Sequence, residues 1–173
     1  FDVPQSIEGK KYTLVFDGAM SHARVYVNGQ EACYWPNGYN TFFFDATPYL
    51  RPGESNTLAV RLENFTESSR WYPGAGLYRN VHLLVTDEAH VPVWGTQIVT
   101  TDLNDRYAKV EQKTSWEMPQ GKSMSDYVIE TSIVDPSGKT LMTERMRGND
   151  FDHNTFEQEF VVENPAVWSP ETP

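Results

Sequence analysis

The sequence predicts an all-β chain folded as two consecutive β-sandwiches, and three observations carry that expectation. Short β-branched and aromatic segments recur with turn residues between them every ~8–12 positions, the spacing of sandwich strands. No stretch sustains a 3.6-residue apolar period, so any helix is a single turn. Composition also changes near residues 90–93, where Pro92 interrupts the chain. Most aromatics precede that point and most of the acidic excess follows it. The expected domains are 1–91 and 92–173.

In the first domain, residues 12–16 (YTLVF) form a β-branched and aromatic run closed by Asp17-Gly18. Residues 23–27 (ARVYV) alternate and meet Asn28-Gly29, the strongest short hairpin signal. Strands are expected at 40–44 and 57–62, the second presenting Leu58, Val60 and Leu62 on one face, with Pro52-Gly53 as the turn between them. A single helical turn is expected around 45–50, and residues 78–85 (YRNVHLLV) supply the last strand. The second domain reads as strands at 96–101, 108–117, 127–134, 140–146 and 155–162, with Asp135-Pro136-Ser137-Gly138 as a turn. About five strands per domain falls short of the seven or more of a closed sandwich. The first domain is therefore expected to lack N-terminal strands and the second C-terminal strands, as an excerpt of a longer polypeptide. The open sheet edges predict self-association.

Charge narrows the partners. The 173 residues carry 14 Lys plus Arg against 24 Asp plus Glu, a net charge of −10. That balance repels phosphate backbones and anionic head groups, so no nucleic acid and no membrane partner is expected. An apolar share of 39 % supports a packed core. The lone Cys33 excludes an intrachain disulfide and reads as a small buried hydrophobe. His22, His82, His90 and His153 include no pair at ligand spacing, and no metal site is expected. The 102–105 loop reads as solvated rather than calcium-binding. Nucleophile-elbow, Walker and dinucleotide patterns are absent, so no cofactor is expected. No carboxylate pair stands out for glycoside chemistry, and the Asn64-Phe65-Thr66 sequon recurs easily by chance.

One loop is chemically distinctive. Residues 69–79 read SRWYPGAGLYR, with Arg70, Trp71, Tyr72, Tyr78 and Arg79 around a Pro-Gly-Ala-Gly turn. Aromatic faces stack on pyranose C–H faces and guanidinium groups donate paired hydrogen bonds, so the loop suits sugar recognition. Trp35 and Tyr39, flanking Pro36-Asn37-Gly38, are placed to extend that surface. The same aromatics equally suit anchoring on a neighbouring domain.

Residues 23–29 (ARVYVNG), 38–50 (GYNTFFFDATPYL), 56–64 (NTLAVRLEN) and 69–79 together resemble the sugar-binding jelly roll of family 2 glycoside hydrolases, the β-galactosidase branch fitting best. The segment after Pro92, ending in 164–173 (NPAVWSPETP), is similar to the immunoglobulin-like domain that follows it in that family. The resemblance implies a third unit, a (β/α)8 barrel carrying the acid/base and nucleophile glutamates of a retaining hydrolase of terminal β-galactosides. This chain would then be scaffold and recognition loop, inactive alone, with the barrel and a β-galactoside as its partners. The family's acid/base glutamate follows an asparagine; Glu63-Asn64 and Glu163-Asn164 have the reverse order and inherit no catalytic role. The resemblance places Arg70, Trp71 and Tyr72 at the pocket entrance. Arg70 stands where some β-galactosidases have an acid that contacts sugar and an ion, so no ion site is carried over. Tyr78 and Arg79 are expected to hold the loop base. The same two sandwiches precede the barrels of β-glucuronidases and β-mannosidases, and an autonomous carbohydrate-binding module or an adhesion-type sandwich is the reading from another class.

Overall fold

Backbone pairing in the computed structural model, which describes residues 1–67, 74–148 and 154–171, is antiparallel throughout. Helix among the described residues is confined to short 3-10 turns, such as Thr47–Tyr49 and Met124–Asp126. Two units are present, Phe1–Glu88 and Ala89–Pro173.

The first unit contains β1 (Lys10–Phe16), β2 (Ala23–Val27), β3 (Gln30–Trp35), β4 (Phe42–Asp45), β5 (Leu58–Arg61) and β6 (Val81–Asp87). They form two three-stranded sheets, β4-β1-β6 and β3-β2-β5. Alternation decides which side chains enter the core. Ala23, Val25 and Val27 do so from β2, and Tyr12, Leu14 and Phe16 from β1. Phe16 stacks on Phe42 at 4.8 Å between ring centroids, and Trp35 stacks on Phe42 at 5.8 Å, joining the two sheets. Each fully buried side chain of this size contributes about 1.5–3 kcal/mol of transfer free energy.

The turn chemistry follows from residue type. Asn28 and Gly29 have φ of +52° and +83°, the left-handed pair that a two-residue hairpin needs. Asn28 also closes a polar knot. Its Nδ2 donates to the Tyr49 carbonyl (2.9 Å) and to Asn56 Oδ1 (2.8 Å), while its Oδ1 accepts from the Thr57 amide (3.0 Å). Asn56 is only 2 % exposed. Its Nδ2 donates to the carbonyls of Arg51 and Glu54, and its Oδ1 accepts from the Arg51 amide. Every hydrogen-bonding atom of this buried amide is satisfied, which makes the burial affordable.

Two details differ from the sequence reading. The first unit has an additional strand, β3, which has no clean alternation. A bulge between Val25 and Tyr26 sets Cys33 opposite Val25 and Glu31 opposite Tyr26, so Ala32 and Cys33 are both half-buried and the period of two is lost. β6 begins at Val81 rather than at residue 78, because Tyr78 and Arg79 direct their side chains to carbonyls of other loops.

The second unit contains β7 (Thr96–Leu103), β8 (Tyr107–Ser115), β9 (Val128–Val134), β10 (Thr140–Arg147) and β11 (Thr155–Glu163), in sheets β11-β8-β7 and β10-β9. Phe156, Gln158 and Phe160 of β11 are buried, with Ala108 and Thr114 of β8. Trp116 packs edge-on against Tyr127 at 5.5 Å. Thr131 Oγ1 of β9 donates to Gln158 Oε1 at 2.5 Å, and Gln158 Nε2 donates to Glu144 of β10 at 3.4 Å. The two-stranded sheet thus lies over β11. All of β7 is exposed, Ile98 at 66 %.

Candidate functional site

The predicted recognition residues Arg70, Trp71 and Tyr72 lie outside the described residues. The structure does define the two chain segments that lead into and out of them, and both run to one short stretch after β1.

On the entry side, Ser21 Oγ donates to the Glu63 carbonyl at 2.8 Å, and the Glu63 amide donates back to the Ser21 carbonyl at 2.8 Å. On the exit side, Met20 and Gly76 exchange both backbone hydrogen bonds, at 3.1 and 3.2 Å. Residues 63 and 76 are therefore held on neighbours in sequence, Ser21 and Met20. Gly76 has φ of +128°, which a residue with a side chain rarely adopts.

The exit is held further. Tyr78 Oη donates to the Gly38 carbonyl at 2.8 Å, and Arg79 Nη1 donates to the carbonyls of Asp17 and Tyr39, each at 3.3 Å. The Arg79 guanidinium also lies 5.3 Å from the Tyr78 ring centroid. A Cβ at Gly38 would meet Met20 Sδ at 2.3 Å, so a larger residue there would require the Met20 side chain to move. Asp17 Oδ2 sits 3.2 Å from His82 Nε2, on an exposed face. Tyr78 and Arg79 thus occupy the loop base.

Other sequence candidates are placed as follows. Tyr39 is exposed, its amide donating to Asn37 Oδ1 at 2.8 Å. Trp35 does not join it on the surface as expected, because its ring is drawn inward onto Phe42 and the core. Cys33 packs half-buried against that core, and burial pushes its thiol pKa up, so it is less ionised than a free thiol. In the 102–105 loop, Asn104 Oδ1 accepts from the amides of Arg106 and Tyr107, and Asp102 accepts from Tyr107 Oη at 2.7 Å. The Asp102 hydrogen bond raises the Tyr107 pKa. Among the described residues no group of three or more His, Cys, Asp or Glu is arranged to hold a metal ion. Sequence reasoning did not single out Met20 or Ser21. Both act largely through backbone groups, which no residue-type motif advertises.

Two antiparallel units in series, the first holding residues 63 and 76 on neighbouring residues, define a class: a tandem β-sandwich protein. Residues 1–87 match the family described as glycosyl hydrolases family 2, sugar binding domain, and residues 93–173 match glycosyl hydrolases family 2. The chain belongs to glycosyl hydrolase family 2. It is 33% identical to beta-galactosidase BoGH2A of Bacteroides ovatus over 100% of this chain and 21% of that protein. It is 28% identical to a beta-glucuronidase of Formosa agariphila over 82% of this chain and 16% of that protein. A family 2 member from Bacteroides cellulosilyticus superimposes with a TM-score of 0.85 at 26% identity, covering 99% of this chain and 22% of that one. The chain thus spans about a fifth of the length of the relatives it matches. Its sandwiches are the jelly roll and the immunoglobulin-like unit of this family. No (β/α)8 barrel is found among the described residues.

Proposed function

We propose that this chain is the non-catalytic N-terminal part of a retaining β-galactosidase. In this reading its first sandwich presents Arg70, Trp71 and Tyr72 to the pocket of a (β/α)8 barrel elsewhere in the same polypeptide. The barrel carries the two carboxylates of the reaction, one working as acid/base and one as nucleophile. The chain contributes position: a guanidinium for sugar hydroxyls, aromatic faces for the pyranose, and a rigid mount for both. The observation that carries this role is the anchoring of both loop ends on Met20 and Ser21. That arrangement supports a recognition loop more than a casual surface connection. The galactoside is supported by the likeness to BoGH2A, named a beta-galactosidase. The likeness to proteins named beta-glucuronidase favours a second reading, the same role beside a pocket for a β-glucuronide.

The test is kinetic, on the full-length polypeptide. Aryl β-galactoside, β-glucuronide and β-mannoside are compared, and Arg70→Ala is assayed on the preferred one. The expected result is preference for the galactoside and a fall in kcat/KM of about tenfold or more, the worth of a charge-assisted hydrogen bond. Preference for the glucuronide replaces the substrate, and an unchanged kcat/KM in Arg70→Ala removes the loop from recognition.

A further inference from the structure

We infer that the outward face of the β3-β2-β5 sheet is a binding surface for a neutral glycan, formed by Arg24, Tyr26, Glu31, Tyr34 and Arg61. It uses none of the residues proposed for recognition in the 69–79 loop and stands or falls without them.

Alternation places the surface. Ala23, Val25 and Val27 of β2 point into the core, so Arg24 and Tyr26 point out. Strand pairing then lays two rows across the sheet. In the first, Tyr34 of β3 lies beside Arg24, which lies beside Arg61 of β5. In the second, Glu31 lies beside Tyr26, which lies beside Ala59. Tyr34, Glu31, Ala59 and Arg61 are all exposed.

The first row breaks a rule of sheet pairing. Like charges directly opposite on neighbouring strands are destabilising, yet Arg24 and Arg61 are register partners. Each is drawn to a carboxylate on its own flank. Arg24 Nη1 donates to Glu31 Oε1 at 2.9 Å, and Arg61 Nη2 lies 2.5 Å from Glu63 Oε1. The Arg24 guanidinium also lies over the Tyr34 ring, 4.7 Å from its centroid. Tyr26 Oη donates to Glu31 Oε2 at 3.2 Å, and Tyr34 Oη lies 2.9 Å from His22 Nδ1. Each polar group of the surface is thus held by a neighbour before a ligand arrives, which lowers the entropy lost on binding.

The chemistry selects the ligand. A guanidinium has five N–H donors in a fixed fork and a carboxylate about four acceptor positions, so these pairings leave both with capacity for a ligand's hydroxyls. Two guanidiniums beside two carboxylates sum to no net charge. That balance suits vicinal hydroxyls, which donate and accept, better than it suits a phosphate or a sulfate ester. Tyr26 and Tyr34 supply apolar ring surface for pyranose C–H groups.

The experiment is affinity electrophoresis of the full-length polypeptide through gels holding soluble β-1,4-galactan, a neutral polymer, or polygalacturonate, an acidic one. Galactan is expected to retard the wild type and polygalacturonate to leave it unretarded. Arg61 has a side chain 64% exposed, so Arg61→Ala leaves the core untouched. It should weaken galactan binding by about tenfold, the worth of a charge-assisted hydrogen bond. Tyr34→Ala, which removes a ring and the support beneath Arg24, should weaken it at least as much. Arg145→Ala is the control, deleting an exposed pair with Glu130 in the second unit (2.6 Å), and should leave retardation unchanged. All three should keep wild-type kcat/KM on an aryl β-galactoside, so failure here is separable from failure of the recognition loop. No galactan retardation of the wild type, retardation by polygalacturonate alone, or retardation that Arg61→Ala and Tyr34→Ala leave intact overturns the inference. Sedimentation showing self-association of the wild type that Arg61→Ala abolishes also overturns it, because the face then belongs to a second copy.

Discussion

The two units share an architecture and differ in what fills them. The first has an interior built around stacked rings, Phe16 on Phe42 and Trp35 on Phe42, with Val25 and Val27 fully buried. Its buried amide, Asn56, sits at the rim in a closed polar knot. The second carries its polar group inside the sandwich: Gln158 is buried between Phe156 and Phe160 along β11, bonded to Thr131. Its two-stranded sheet leaves β7 uncovered. Among the described residues the second unit has fewer buried hydrophobic side chains: Ala108, Trp116, Phe156 and Phe160.

The largest expected effect breaks this comparison directly. Phe16 is 0% exposed and is in ring contact with both Phe42 and Phe44. Phe16→Ala should destabilise the first unit by about 4 kcal/mol, through lost burial and a cavity that stacked rings cannot refill. Phe160→Ala, at 2% exposure in the second unit, should cost about 3 kcal/mol, because the surroundings collapse more easily onto the gap. Denaturant unfolding read from amide signals of each unit measures both. Equal costs would show that the two interiors are equally rigid.

A smaller effect tests the rim. Asn56→Ala leaves Asn28 Nδ2 and the Arg51 amide without the acceptor they share, and should cost the first unit about 2–3 kcal/mol. Asn56→Asp retains acceptors but removes the donor to Arg51 and Glu54, and should fall between wild type and alanine. An alanine variant within about 0.5 kcal/mol of wild type, the range of an ordinary surface change, would show that water replaces the knot.

What the sequence made legible followed local rules. The all-β class, the Asn28-Gly29 hairpin, the single turn at Thr47–Tyr49 and the inward alternation of β2 each depend on neighbouring residues alone. β3 was hidden because its bulge breaks the alternation that a strand is read by. Trp35 looked like a surface residue from its Pro-Asn-Gly neighbourhood, yet the stacking partner that draws it inward comes from another strand, β4. For the candidate site, the sequence pointed to Arg70, Trp71 and Tyr72 by their side-chain chemistry, and these fall outside the described residues. Its mounting was not legible, because Met20 and Gly76 meet through backbone groups and Glu63 offers Ser21 a carbonyl. Tertiary pairing of ordinary backbone leaves no mark in composition or spacing.

The smallest effect sharpens the comparison through charge. The first unit locks the turn after β2 with the neutral amide of Asn28, whereas the second locks the turn between β9 and β10 with the carboxylate of Asp135. Asp135 Oδ1 accepts from the Ser137 amide (2.8 Å), the Ser137 hydroxyl (2.5 Å) and the Lys139 amide (3.0 Å). These bonds, the hydroxyl's foremost, hold its pKa below the ordinary aspartate value. A depressed folded pKa means that the ionised form is favoured by folding. The contribution is therefore fully present above the unfolded value near ~3.9 and is lost as pH falls through the lower folded value. Because the turn is exposed to solvent, the effect is small, and its pH dependence identifies it better than its size. Asp135→Asn should lower the melting temperature of the second unit slightly at pH 6, and that deficit should shrink as pH falls through the acid range. The deficit caused by Asn56→Ala in the first unit, which involves no titrating carboxylate, should stay constant over the same range. No Asp135→Asn deficit at pH 6 would mean that the turn is held by its shape alone, by the left-handed Gly138 at φ +87° and its backbone bond to Asp135.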